Sequence, residues 1–298
     1  MKISIIIATY NRCKDLKFLL ESLKDLQLPD AIQCEVLVID NNSTDCTKVV
    51  TESYLVSKYP KVRYIFEQRQ GKSNALNTGI RQAEGDILVF TDDDCIPDSA
   101  WIMSIAKEFV NNPSLSALGG RVELYNKEDI DIATIYQDER MVINGLRQLF
   151  PPMIIGCNMA IMKGAIEEVG EFDPLLGPGS KIGATAEDVD LIYRIMRKGF
   201  KIVYTPNVLV YHNHGRRTEN EIIALMKGYY KGQGAFYWKH IHRMDIVKMV
   251  FKNIYNTSKT LLKGIIIRKN FPYHKIFLPS LLLGAIYYQK ANSFKKNA

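Results

Sequence analysis

The 298-residue chain is predicted to be an α/β protein, with a mostly parallel, Rossmann-like sheet flanked by helices and a basic helical extension at its C-terminal end. Three observations predict this. Short continuous apolar runs, suited to strands buried on both faces, alternate with segments whose apolar residues recur at three-and-four spacing. Polar and acidic residues gather at the ends of those runs. Charge is also unevenly spread: residues 219–298 hold 14 Lys and Arg against 3 acids, a net of +11, whereas the first 218 hold 25 against 29, a net of −4.

Residues 3–8 are a β-rich apolar run and read as the first strand. Residues 15–26 carry Leu16, Leu19, Leu20, Leu23 and Leu26 on one helical face and stop before Pro29. Residues 36–39 are a second buried strand, and Ser43 or Thr44 is placed to cap a helix over about 45–57. A strand at 62–66, a helix at 73–83, a strand at 87–90 and a helix at 99–111 follow. This alternation predicts parallel strands joined by right-handed crossovers. Open sheets of that kind bind ligands at their carboxyl ends, so residues 9–12, 40–42 and 91–94 are expected to converge on one crevice. Strands at 117–124, 154–162 and 202–204 make the second half mixed.

Composition narrows the class. With 47% hydrophobic and 24% charged residues the chain can bury a full core. The five cysteines, Cys13, Cys34, Cys46, Cys95 and Cys157, form no CxxC pair, so neither a disulfide framework nor a zinc site is expected. A reducing cytoplasm is the matching compartment. The most apolar stretch, residues 276–288, is shorter than the roughly 20 residues of a membrane span and contains Pro279 and Gly284. A basic tail on a mildly acidic body points to an anionic surface touched by the tail. Nucleic acid is not expected there, because no recognised binding motif accompanies the charge.

Asp92, Asp93 and Asp94 end a buried strand, where three carboxylates are costly without a cation. Mg²⁺ or Mn²⁺ suits them, since hard divalent ions take oxygen ligands and keep positions open for phosphates. The alternative is a solvated turn whose Asp98 or Ser99 caps the next helix. Glu187 and Asp188 begin a helix, where negative charge is favoured by the macrodipole, and capping alone would account for them. His212 and His214, two apart in VYHNHGRR, share a face if they lie on a strand.

SIIIATYNR, VLVIDNNSTD, GKSNALNTGI, DILVFTDDDCIPD, GCNMAIMKGAIEEVGEFDP and AEDVDLIYRIMRKGF resemble, in order, the motifs of glycosyltransferase family 2 over about residues 1–215. The resemblance implies a GT-A fold, a nucleotide diphosphate sugar as donor, with UDP favoured over GDP or dTDP, and inversion at the anomeric carbon. It divides the chain into a catalytic domain, 1–218, with a nucleotide-sugar half over about 1–115 and an acceptor half over 116–218, and a segment 219–298. Thr9 and Tyr10 would line the nucleobase pocket with Arg12 in the same loop, and Asp40 would accept from base or ribose. Asp92 and Asp93 would lie near the donor, with Lys72 lending charge to the diphosphate. Asp94 would be the direct metal ligand, joined by Asp92 and, as in many relatives, by His212, with His214 the weaker candidate.

Asp188 would be the general base, with Glu187 second and Asp190 an outsider. Arg216 and Arg217 are phosphate candidates, and the glycine-rich residues 177–183 would order over the donor or form a plain loop. The acceptor would be a saccharide or lipid-linked saccharide on the way to surface polysaccharide or glycolipid. In the tail, Ile246, Val250, Phe251, Ile254 and Tyr255 are expected on one side of a helix and Lys248, Lys252 and Lys259 on another. That pattern suits an interfacial helix on anionic lipid, peripheral at the inner membrane face, or a helix packed on the catalytic domain. A sugar-1-phosphate nucleotidyltransferase would share the sheet, yet TYNRCKD lacks its glycine-rich loop. A processive synthase would need QxxRW, which is absent. A non-catalytic sugar-nucleotide binding module would have lost an acid at 94 or 188, and both are present.

Overall fold

The computed structural model describes residues 1–55, 60–266 and 272–296. Four parallel strands form its first half: β1 (Lys2–Thr9), β2 (Gln33–Asp40), β3 (Lys61–Phe66) and β4 (Ile87–Asp92), in spatial order β3-β2-β1-β4. Alternation along β1 explains why it is apolar throughout. Ile3, Ile5 and Ile7 enter one core with Leu16, Leu19 and Leu20 of α1 (Cys13–Ser22), while Ile6 enters the other with Ala75, Leu76 and Ile80. Those last three belong to α3 (Lys72–Gln82), so helices cover both faces.

Beyond β5 (Cys95–Pro97), α4 (Trp101–Asn111) and β6 (Leu115–Leu124), the sheet becomes mixed. It continues β4-β8-β6-β9-β5, with β7 (Met141–Val142) on β9, β8 (Met159–Met162) antiparallel to both neighbours and β9 (Lys201–His212) parallel to β6. Helices α5 (Lys163–Val169) and α6 (Glu187–Arg197) precede β9.

Several expectations are corrected. The strand expected over 154–162 begins only at Met159, because Asn158 is turned inward, donating to the carbonyls of Arg121 and Val208 and accepting from Trp101 Nε1. The strand expected at 202–204 runs on to His212. Neither Ser43 nor Thr44 caps α2 (Thr47–Glu52): both bond to Asn11, and the Ser43 amide also donates to Asp40. The expected end of that helix, at 57, lies outside the described residues.

Cys13 and Cys46 form a disulfide, although the cysteine pattern indicated no disulfide framework. Their separation of 33 residues hides a spatial closeness. β1 and β2 pair in parallel with Thr9 opposite Asp40, so the loops that leave them emerge side by side. The cysteine argument for a reducing compartment falls with it. Cys34, Cys95 and Cys157 are free and buried.

The tail forms α7 (Glu219–Lys239), α8 (Met244–Ile266) and α9 (Pro272–Lys296). A Cβ added at Gly234 would stand 1.9 Å from the Leu281 carbonyl oxygen, and one at Gly284 1.8 Å from that of Lys231, so only glycine lets the α7 and α9 backbones touch. Phe236, Ile246, Phe277 and Leu281 join the core of the sheet domain. Beside them Asp190, fully buried on α6, accepts from Arg194 Nε at 2.8 Å and Lys239 Nζ at 3.0 Å, and bonds His240 Nε2 at 2.8 Å. Lys239 and Tyr288 also bond Asp173. The outsider of the acid trio thus fastens the tail to the helix that carries Asp188.

The apolar side expected on α8 splits in two. Ile246 and Val250 turn to the core, whereas Phe251 (69% exposed) and Tyr255 (66%) face outward with Met244. No helix among the described residues is long and apolar enough to cross a membrane.

Candidate active site

A cavity of about 880 Å³ lies at the carboxyl ends of β1 and β4. Thr9, Tyr10, Arg12, Lys72, Asp92, Asp93 and Asp94 line it, together with Glu187, Asp188, His212 and Arg216. Asp40 does not. Its carboxylate accepts from the Ser43 amide at 2.9 Å and the Tyr64 hydroxyl at 2.8 Å, and the neighbouring Asn41 reaches the cavity wall instead. Asn41 also accepts from the Gly71 amide at 2.8 Å, which seats the turn into α3. Asn41 falls within the segment expected at the crevice but was given no role there, and Gln70 and Gly71 were not anticipated. DNN reads as a turn former, and nothing local says which side chain of a turn faces the ligand.

The carboxylates are balanced by cations. Arg12 Nη1 stands 3.0 Å from Asp94 Oδ2 and 3.4 Å from Asp93 Oδ1, and these contacts raise its pKa against burial. Lys72 pairs with Asp92 and lies 3.9 Å from Glu187 Oε1. Burial pushes Asp93 up to about 7. Burial would raise Asp94 as well, but His212 and Arg12 hold it well below the usual carboxylate range. Despite its own burial, His212 is pushed up to about 9 by its hydrogen bond with Asp94.

Asp94 Oδ1 and His212 Nε2 are 3.4 Å apart, with Cys95 beside them, and His212 Nδ1 is buried without a hydrogen-bond partner among the described residues. Two cis ligands on bonds of about 2.1 Å to one hard cation would stand about 3 Å apart, so this donor pair fits a single divalent ion. Asp92 ends β4, two residues before Asp94. His214 is less suited. Its Nδ1 accepts from the Arg216 amide at 3.0 Å and it lies against Asp129, off the cavity wall. Arg217 is likewise turned away, to Asp129 and Glu128.

Glu187 and Asp188 begin α6 and diverge. Glu187 is 3% exposed, its Oε2 has no hydrogen-bond partner among the described residues, and burial lifts it to about 8. Asp188 is half-buried and held by the amides of Gly156, at 2.9 Å, and Val189, at 2.8 Å. Burial raises its pKa too. Each oxygen keeps a second lone pair for a ligand. The glycine-rich loop docks on α3, where the Lys72 amide donates to the Pro178 carbonyl at 2.9 Å, and Pro178 and Gly179 reach the cavity.

A curled, mostly parallel sheet whose carboxyl ends meet in one acid-lined cavity, closed by C-terminal helices, defines a GT-A protein. The chain belongs to glycosyl transferase family 2, whose model matches residues 4–170, more than half of its length. It is 26% identical over 196 residues to the glycosyltransferase AglE of Haloferax volcanii, covering 65% of this chain and 63% of that one. It is also 26% identical over 214 residues to a poly-beta-1,6-N-acetyl-D-glucosamine synthase of Staphylococcus epidermidis, covering 70% of this chain and 48% of that one. The chain thus spans only part of these relatives. Among solved structures it resembles the mannosyltransferase PcManGT of Pyrobaculum calidifontis in complex with GDP-Man and Mn²⁺, with TM-score 0.66, 18% identity and coverage of 96% and 86%. The S. aureus TarS fragment 1-349 in complex with UDP-GlcNAc gives TM-score 0.60 and 20% identity, with coverage of 80% and 66%.

Proposed function

We propose that this chain is a metal-dependent, inverting glycosyltransferase that moves a sugar from a nucleotide diphosphate to an acceptor hydroxyl, in the synthesis of a surface polysaccharide or glycolipid. The observation that carries the reading is the meeting of Asp92, Asp93 and Asp94 with Asp188 across one cavity. Thr9, Tyr10 and Asn41 would receive the nucleoside, UDP being favoured, as in the TarS complex, with GDP, as in PcManGT, the next candidate. Asp94, Asp92 and His212 would hold Mn²⁺ or Mg²⁺, which supplies neutralisation of diphosphate charge when bound. Arg12 and Lys72 already offer positive charge on the same side. Asp188 would take the proton of the attacking hydroxyl, and a single displacement needs no covalent intermediate.

A thermal-shift series tests this. UDP with Mn²⁺ is expected to raise the melting temperature, by the equivalent of about 2.7 kcal/mol at a hundredfold excess over Kd. In Asp94→Asn the Mn²⁺-dependent part of that rise should vanish while the unliganded protein still melts cooperatively. An unchanged Mn²⁺-dependent rise in the variant, with UDP or with GDP, would contradict the metal assignment.

The acceptor would be a saccharide or lipid-linked saccharide, and the tail would rest on an anionic membrane face. On α8, Met244, Phe251 and Tyr255 fall within about 40 degrees of one another at about 100 degrees per residue, and the exposed Lys248, Lys252 and Lys259 flank them. Apolar side chains edged by lysines match an interfacial helix. The double substitution Phe251→Ser with Tyr255→Ser should reduce cosedimentation with phosphatidylglycerol vesicles several-fold without changing the melting temperature. Equal sedimentation of both forms would remove the membrane reading.

A further inference from the structure

The part of the cavity wall supplied by the C-terminal helices, here its second arm, differs in chemistry from the part supplied by the strand ends. It is lined by α7 (Leu225, Met226, Tyr229 and Tyr230) and by Phe277 of α9, joined by Phe150 and the prolines that follow it. Every charged residue on the cavity wall belongs to the strand ends, to the start of α3 or α6, or to the loop after β9; among the described residues the arm itself has none. Its polar groups are the neutral side chains Gln233, Asn253, Asn256 and Thr257. Two of these already donate to the Tyr237 hydroxyl, Gln233 Nε2 and Asn253 Nδ2 each at 2.6 Å. An anionic or strongly hydrated ligand would therefore be desolvated here without compensation.

Tyr229 of α7 lines the same cavity as Asp188. Burial, then the charge of Asp188, raises its pKa, so the phenol stays protonated. Its hydroxyl makes no hydrogen bond among the described residues, although the ring is half-buried. The residue lines the cavity, where a ligand could supply that hydroxyl with a partner.

Resting on the glycosyltransferase reading above, we propose that this arm is the acceptor subsite and that it takes a glycoside with an apolar aglycone, in chemical terms a lipid-linked saccharide. The sugar lies between Asp188 and Tyr229, where its hydroxyl meets the base and the phenol. The aglycone follows Leu225, Met226, Tyr230 and Phe277. This arm belongs to the C-terminal helices, so the tail selects the acceptor while the strand ends bind the donor.

The test uses the full chain saturated with UDP and Mn²⁺, with octyl β-D-glucopyranoside below its micellar concentration and glucose as probes, followed by ligand-observed NMR titration. Each buried methylene is worth about fourfold in affinity, so burial of even two predicts octyl glucoside binding at least about tenfold tighter than glucose. Met226→Gln, which puts an amide in the apolar wall, should lower octyl glucoside affinity about tenfold, and Met226→Leu should restore it. Tyr229→Phe should weaken it about threefold. The outward-facing pair Phe251→Ser, Tyr255→Ser should leave it unchanged. Equal affinity for the two probes, or loss in the outward pair rather than in Met226→Gln, would overturn the proposal. Should Met226→Gln fail to fold, the comparison of the two probes on the native chain still decides. Failure of the donor reading is separate, since it would remove the UDP and Mn²⁺ response itself.

Discussion

Asp188→Asn is expected to lower turnover by about 10² to 10⁴ while donor affinity stays nearly unchanged, which is the usual cost of losing a general base. Inverting transfer needs a carboxylate on the acceptor side, opposite the departing diphosphate. Glu187 and Asp188 leave the start of α6 about 100 degrees apart and cannot both aim at one oxygen. Glu187 is buried beside Lys72, and its elevated pKa, about 8, leaves it largely protonated at neutral pH. Asp188 is the more accessible of the two and is fixed by the Gly156 amide. The asparagine preserves shape and loses basicity. Glu187→Gln is expected instead to loosen Lys72 and the loop docked on it, changing binding more than chemistry. Steady-state kinetics on both variants, with donor binding measured separately, checks the assignment. Near-normal turnover in Asp188→Asn with loss in Glu187→Gln would exchange the roles, and activity in both would refute the mechanism.

Asp190→Ala is expected to destabilise the protein by about 3 to 5 kcal/mol, the range seen when one partner of a buried ion pair is removed. Arg194, Lys239 and His240 all converge on this carboxylate, and the alanine would leave them without their common anion. At roughly 2 to 4 °C per kcal/mol for domains somewhat smaller than this one, the melting temperature should fall by roughly 6 to 20 °C. Because α6 also carries Asp188, activity should drop at temperatures well below the new midpoint. The pH dependence has a definite sign. The hydrogen bond with His240 and the charges of Lys239 and Arg194 hold the Asp190 carboxyl below its usual range despite complete burial. Its contribution is therefore fully present above the unfolded value of about 3.9 and is lost as the pH falls below that. Wild type should thus lose stability in acid more steeply than Asp190→Asn, and parallel acid-unfolding curves would refute the clasp.

Much of the donor side was legible in the sequence because it is written in short-range patterns. The continuous apolar runs ending in TYNR, DNN and TDDD gave both the strands and the point where each chain leaves the sheet, and parallel pairing carries such ends to one edge. The helix beginning at Glu187 was similarly readable. Orientation within a turn was not: Asp40 and Asn41 are adjacent, yet Asp40 turns to Tyr64 and Asn41 to the cavity. A period of one residue carries no information about which of two polar neighbours meets solvent, ligand or backbone.

By itself the sequence determined the α/β class, the family resemblance, the clustering of carboxylates at a strand end and the basic character of the tail, since each depends on residues close together along the chain. Tertiary structure alone decided the Cys13–Cys46 disulfide, the part played by Asp190 and the division of α8 into an inward and an outward face. Those depend on which distant segments become neighbours. Parallel register placed the two cysteines side by side, contact through Gly234 and Gly284 seated α9 on α7, and Lys239 and His240 at the end of α7 reach Asp190 on the helix of the acid pair. Once that contact exists, burial turns an unremarkable aspartate into a buried ionic centre and makes the tail one wall of the cavity.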